Sequence, residues 1–258
     1  MGITNKERIS LTIDKNLLKQ IDNSKKDFSR SGFVEKILKE RFSDKKVAVI
    51  LAGGPPEALY TKDKLLKPLY PVKKNKTLIE FQIEKLKEAG FNEILFISKK
   101  EIIAEIFKKI GEKDLKYIEE KDSLGTAQTL SLARNEIESD FLFLPCDHYF
   151  EFDIKKLENV HKNSNATTTL AVYYGKKHEW HKSSLIEIEG NKIINYDETA
   201  KSDSNLTSVF IGFSKPKIFE YIPSSKVEYS LQKDVFPVLA KERELNAFLF
   251  NSDWLNLE

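Results

Sequence analysis

From residue 46 onward, strand-sized apolar runs alternate with amphipathic helical stretches, and that alternation leaves few architectures open. Runs at 47–51, 93–98, 116–119 and 141–145 read as strands, and apolar spacings at 77–89, 100–110 and 126–137 read as helices between them. This succession predicts an α/β fold with a mostly parallel sheet covered on both faces, because a parallel strand pair needs a crossover that a helix supplies. Ligands of such sheets sit at the carboxyl ends of the strands. Extended stretches at 167–174, 184–189, 192–197 and 206–213 predict an antiparallel insertion after that block.

The first strand runs straight into Leu51-Ala52-Gly53-Gly54, where paired glycines let backbone approach a ligand closely. Lys67-Pro68-Leu69-Tyr70-Pro71-Val72 follows, then a helix beginning near Thr77. Further along come Leu124-Gly125-Thr126-Ala127, Pro145-Cys146-Asp147-His148 at the end of a strand, Ser230-Leu231-Gln232-Lys233-Asp234-Val235-Phe236-Pro237, and Trp254-Leu255-Asn256. In that order these segments resemble the sugar-phosphate nucleotidyltransferases, enzymes of GT-A, Rossmann-like fold that join an NTP to a sugar 1-phosphate and release pyrophosphate. The resemblance spans residues 46–258. It implies nucleotide-binding roles for Leu51, Ala52, Gly53, Gly54, Leu124, Gly125 and Thr126, and phosphate contact by Lys67. It also implies sugar binding at Glu198 and Mg²⁺ held by Asp147 and Asn256, with Lys67 and Asp147 as the catalytic pair.

The departures from that pattern fall on charged positions. Pro55-Pro56-Glu57-Ala58 replaces a segment that in the family reads any residue, then Gly-Thr-Arg. Two prolines remove two backbone N–H donors, Glu57 adds a like charge, and Ala58 deletes a guanidinium. Asn256 stands where the family has an aspartate, and Glu198-Thr199 where it has Glu-Lys. Losing one oriented donor costs on the order of 10²–10³ in rate, so the pattern predicts slow or absent turnover, with Lys62 or Lys64 as the residues able to compensate.

Residues 1–43 read as a separate module. Ile9, Leu11 and Ile13 alternate with Arg8, Ser10 and Thr12, which predicts a half-buried strand over 8–13. Asp14 is a candidate cap for a helix carrying Leu17, Leu18 and Ile21, and Ser29 for a second with Phe33, Val34, Ile37, Leu38 and Phe42 on one stripe. One strand and two helices cannot close a core alone, so the segment needs a partner. The order resembles the ribbon-helix-helix repressors, in which two chains pair their strands and present alternate side chains to the DNA major groove. That resemblance implies a homodimer, with Arg8, Ser10 and Thr12 on base edges and Ser29, Arg30 and Ser31 near phosphates.

Charge agrees with a basic module. Residues 1–45 hold 11 Lys/Arg against 7 Asp/Glu, an excess of +4, so the remainder carries −2 of the net +2. Cys146 is the single cysteine, which excludes an internal disulfide and a Cys-rich zinc site and suits a reducing cytoplasm. No apolar run is long enough for a membrane span. The first expectation is therefore a dimeric DNA-binding regulator whose second domain binds a nucleotide or nucleotide-sugar. The alternative is an active sugar-1-phosphate nucleotidyltransferase that uses the ribbon only to dimerise. A GT-A glycosyltransferase is disfavoured by the lack of an Asp-x-Asp motif, and a serine hydrolase by the lack of a Gly-x-Ser-x-Gly elbow.

Overall fold

The computed structural model describes residues 9–25, 29–42, 45–73, 75–111, 113–175, 185–198, 206–224 and 226–257. The chain divides into two compact units, Met1–Lys45 and Lys46–Glu258.

In the first unit α1 (Lys15–Ser24) is capped by Asp14, whose carboxylate accepts from the N–H groups of Asn16 and Leu17. Helix α2 (Arg30–Phe42) begins after Ser29, whose Oγ accepts from Gly32 N–H at 3.1 Å. Arg30 makes a two-pronged pair with Asp22 at 2.7 and 2.6 Å, and this guanidinium holds the Asp22 carboxyl below its ordinary range. Ser29 and Ser31 stand 3.2 Å apart through their hydroxyls. Of Ser29, Arg30 and Ser31, expected near DNA phosphates, Arg30 ties α2 to α1, while Ser29 and Ser31 bond within the start of α2. Residues 9–14 form no strand, and Ser10 and Thr12 lie in irregular backbone; Arg8 lies outside the described residues. The physical reason is that a strand needs a hydrogen-bonded neighbour, and none within the described chain faces this one. Ile9 is 66% and Leu11 58% exposed.

The second unit contains strands β1 (Val47–Ala52), β2 (Pro71–Lys73), β3 (Lys76–Thr77), β4 (Glu93–Ser98), β5 (Lys116–Glu119), β6 (Phe141–Pro145) and β7 (His148–Phe150). It continues with β8 (Thr168–Tyr174), β9 (Leu185–Glu189), β10 (Lys192–Asp197), β11 (Leu206–Ser214), β12 (Leu245–Phe250) and β13 (Trp254–Asn256). Its helices are α3 (Leu78–Glu88), α4 (Lys100–Ile110), α5 (Thr126–Ser131), α6 (Ile154–Lys162) and α7 (Phe236–Lys241). Nine described strands form one sheet in the order β5-β4-β1-β6-β11-β8-β12-β10-β9. Pairing is parallel across β5-β4-β1-β6 and between β8 and β12, and antiparallel elsewhere.

Strand β1 explains the layering. Successive side chains point to opposite faces, so Val47, Val49 and Leu51 join the core under α5 and α7, while Ala48, Ile50 and Ala52 join the core under α3, α4 and α6. All six are buried, which is why the strand reads as an unbroken apolar run. Two expectations are corrected. The stretches after residue 165 are no insertion, because β11 pairs directly with β6 and β8 and extends the central sheet. The helix expected over 126–137 ends at Ser131, where Leu132 and Ala133 N–H groups turn to carbonyls three residues back and tighten the chain.

Candidate active site

A cleft of about 440 Å³ opens at the carboxyl ends of β1 and β6. Its lining brings together Leu51, Gly53, Gly54, Gly125, Thr126, Asp147, Glu198 and Asn256, eight residues singled out from widely separated motifs. Ala52 is not part of it: the residue is buried and its carbonyl accepts from Ser98 Oγ at 2.6 Å, which fixes the end of β1. Leu124 also stays outside, its carbonyl accepting from Tyr229 N–H at 2.8 Å.

The glycines are there because the space is taken. A Cβ on Gly53 would lie 2.5 Å from Glu120 Oε1, since the Glu120 carboxylate sits under the loop accepting from Gly54 N–H at 2.7 Å and from the Thr129 hydroxyl. Gly125 has φ +88°, and a Cβ there would meet the Tyr229 carbonyl oxygen at 2.5 Å. Segment 229–234 is laced to this second loop: Ala127 N–H donates to Tyr229 O at 3.0 Å, Leu231 N–H to Thr126 Oγ1 at 2.9 Å, and Thr126 Oγ1 to Gln232 Oε1 at 3.0 Å.

The floor of the cleft is the turn between β6 and β7. Buried Gln82 on α3 donates through Nε2 to the carbonyls of Pro145 and His148, both at 2.9 Å, and so clamps both ends of the turn that carries Asp147. Cys146 N–H donates to Leu51 O, fastening the turn to β1. The β13–β7 ladder then sets Asn256 opposite His148, and Leu257 N–H donates to Asp147 O at 3.0 Å. The indole of Trp254 stacks on His148 at 5.8 Å.

Asp147 Oδ1 is 2.7 Å from His148 Nδ1, and Oδ2 is 3.6 Å from Lys67 Nζ. Burial works to raise the Asp147 carboxyl, but the charge and hydrogen bond of His148 and the charge of Lys67 outweigh it, and the group is held below its ordinary value. Burial pushes the neighbouring Cys146 thiol up, so this cysteine is an inert packing residue. Among the described lining residues Asp147 and Glu198 are acidic and there is no Lys or Arg; Lys67 enters through its pair with Asp147.

The departures take their places in this geometry. Ala58 lines the cleft and brings no charge, while Glu57 is exposed and absent from the lining. Lys62 and Lys64 are likewise exposed and absent from it. Thr199 lies outside the described residues. No group of three or more His, Cys, Asp or Glu among the described residues could cage a metal. Mg²⁺, however, keeps several waters and binds through one or two carboxylates plus substrate phosphates. Asp147 and Asn256 supply one carboxylate and one amide oxygen to the same cleft, which fits a metal that arrives with a nucleotide.

Sequence reasoning missed Gln82, Glu120, Thr129, Tyr196, Thr207 and Ser208. Gln82 and Thr129 lie within helical runs where only the apolar period is readable; the others had no motif around them.

The family model for nucleotidyl transferases matches residues 47–257. The chain belongs to the nucleotidyl transferase family. It is 28% identical over 212 residues to the bifunctional protein GlmU of Methanocaldococcus jannaschii, covering 80% of this chain and 50% of that one. It is 28% identical over 227 residues to a mannose-1-phosphate guanyltransferase of Schizosaccharomyces pombe, covering 81% and 60%. The chain thus spans half to three-fifths of the length of these relatives. Among solved structures, HddC from Yersinia pseudotuberculosis superposes with TM-score 0.66 at 20% identity, covering 82% of this chain and 93% of that one. The inositol-1-phosphate CTP transferase from T. maritima gives TM-score 0.66 at 16% identity, covering 82% and 88%. These likenesses carry the fold. The curated relatives favour the enzyme over the DNA-binding regulator first expected. No described helix is long and apolar enough to cross a membrane.

Proposed function

We propose that the chain is a sugar-1-phosphate nucleotidyltransferase that joins an NTP to a sugar 1-phosphate and releases pyrophosphate. The observation that carries this reading is the convergence of Gly53, Gly54, Gly125, Thr126, Asp147, Glu198 and Asn256 on one cleft, with Lys67 paired to Asp147 at its floor.

The two glycine loops receive the nucleotide where backbone lies open to it. Lys67 faces the phosphate that is attacked, and its ammonium meets the charge that gathers there as the bond to pyrophosphate breaks. In the resting cleft Asp147 holds that ammonium in place. Asp147 and Asn256 would hold the Mg²⁺, which would supply neutralisation of phosphate charge. Glu198 receives hydroxyls of the sugar. The step needs charge neutralisation and alignment more than proton transfer. The relatives' names make GTP with mannose 1-phosphate the first pair to try. Mass spectrometry of the product with panels of NTPs and sugar 1-phosphates tests the reading: an NDP-sugar supports it, and no product from any pair sinks it.

For residues 1–43 the proposal is pairing with a second copy. Ile9 and Leu11 stand exposed beside backbone groups that have no ladder, and an identical strand offers both the apolar face and the hydrogen bonds.

A further inference from the structure

Helix α3 reaches both members of the charged pair at the floor of the cleft. The first N–H groups of a helix have no partner within it, and that of Leu78 donates to Tyr70 O at 2.8 Å. Tyr70 closes a tight turn with Lys67, its N–H donating to Lys67 O at 3.0 Å. Gln82 follows Leu78 by four positions and so lies on the same face of the helix, where its amide donates to the Pro145 and His148 carbonyls at 2.9 Å each. One turn of α3, a rise of about 6 Å, therefore separates the anchor of the Lys67 segment from the anchor of the Asp147 turn. The two charges meet at 3.6 Å.

The Gln82 side chain is fixed for this task. It is fully buried, on a helix that starts at the Thr77–Glu80 capping box and buries Leu78, Ile79, Phe81 and Leu86 around it. Its Oε1 has no partner among the described residues, so the hydrogen bonds of this side chain are those of its nitrogen. An amide nitrogen carries two hydrogens, one for each carbonyl, and these carbonyls bracket Cys146 and Asp147. A methionine there would fill the space and donate to neither. The Asp147 carboxylate is already divided, with Oδ1 2.7 Å from His148 Nδ1 and Oδ2 toward Lys67, so a shift of the turn would disturb both contacts.

We propose that Gln82 is a positioning residue that acts through Asp147: by locking the 145–148 turn onto the helix that also anchors the Lys67 segment, it holds the carboxylate where a Mg²⁺ arriving with the nucleotide can use it. This rests on the nucleotidyltransferase reading, because that reading makes Asp147 the metal carboxylate.

The test is calorimetry of GTP binding to the full chain, with no sugar phosphate present, in Mg²⁺ and without it. Mg²⁺ should tighten GTP binding to the wild type. Gln82→Met keeps the bulk and loses both donors; it should weaken GTP in Mg²⁺ about tenfold, the usual cost when a metal ligand loses its support, and leave GTP without Mg²⁺ within about twofold. Ile83→Val removes one buried methylene from the same turn of α3 and should leave both affinities within about twofold. In an Asp147→Asn background Gln82→Met should cost less than about twofold, since changes that act through one residue are not additive. If Gln82→Met does not fold, Gln82→Glu decides: it fills the same space with one donor at most, and should lose about threefold in Mg²⁺ only. Equal losses with and without Mg²⁺, no loss, a loss matched by Ile83→Val, or one that persists in Asp147→Asn overturns the proposal. GTP binding that Mg²⁺ does not tighten overturns this proposal only, whereas no GTP binding in either condition overturns the nucleotidyltransferase reading with it.

Discussion

The two walls of the cleft differ in what they keep. The floor, from Lys67 through Asp147 to Asn256, retains a cation, a carboxylate and an amide oxygen, each fixed by neighbours: Gln82 clamps the turn and β13 sets Asn256 opposite His148. The Gly53–Leu59 loop keeps its close backbone approach but has lost its charge, with two prolines and Ala58 where the resemblance implies donors and an arginine. On the proposed reading, such a site would hold its substrates in line while neutralising them less. Positioning and charge are separable contributions to phosphoryl chemistry, and the proposed reading assigns them to different walls here.

The largest expected effect is at the floor. Lys67→Ala or Asp147→Asn should lower turnover on the order of 10²–10³ with little change in melting temperature; a loss under about threefold would move the chemistry elsewhere. Next comes a change that belongs to neither wall and measures packing alone. His161 is buried against Phe213, and burial, opposed by Asp140, pushes its pKa down to about 4. The unfolded chain then binds the extra proton, near its ordinary value of about 6.5. Stability is full above that pH and falls as pH drops toward 4, by about 3 kcal/mol in all. Chemical denaturation between pH 7 and 5 should follow this fall, and His161→Leu should flatten it while leaving substrate affinity at pH 7 unchanged.

Smaller changes sharpen the contrast between the walls. Asn256→Asp should lower the Mg²⁺ concentration for half-maximal activity about tenfold, because a carboxylate replaces a neutral donor at a site already formed. Ala58→Arg should raise kcat/KM several-fold if the loop's deficit is charge; no gain would place the deficit in the prolines. Removal of residues 1–43 should leave the cleft's kinetics within twofold and convert a dimer to a monomer in light scattering.

The fold was legible where periodicity was unambiguous. The apolar run at 47–51 announced a central strand, seen as Val47–Ala52 with both faces covered, and the apolar spacing at 77–89 announced a helix, seen as Leu78–Glu88. The antiparallel strands were read individually, but their membership of the main sheet depends on the non-local pairing of β11 with β6, which no local pattern encodes. The strand expected at 8–13 does not form over the described residues 9–14, because the local alternation of Ile9, Leu11 and Ile13 encodes no partner strand for it to pair with. At the cleft, motifs pointed to several of the residues that line it, but not to Ala52 and Leu124, which stay outside, nor to the residues that hold the lining in place. Gln82 looked like an ordinary helix residue because its role is two hydrogen bonds to carbonyls 63 and 66 residues away. Glu120 lay at a strand end with nothing to mark the loop above it.

If the floor of the cleft works although the loop is thinned, turnover must depend on both substrates and on Lys67. Pyrophosphate release with Mg²⁺, measured across NTP and sugar 1-phosphate pairs for wild type and Lys67→Ala, tests it most directly. Release is expected only when both substrates are present, at about 1 s⁻¹ or less, the low end of the ordinary enzyme range, and is expected to be lost in Lys67→Ala. No release with any pair would contradict the retained floor, and turnover above about 10 s⁻¹ would contradict the thinned loop.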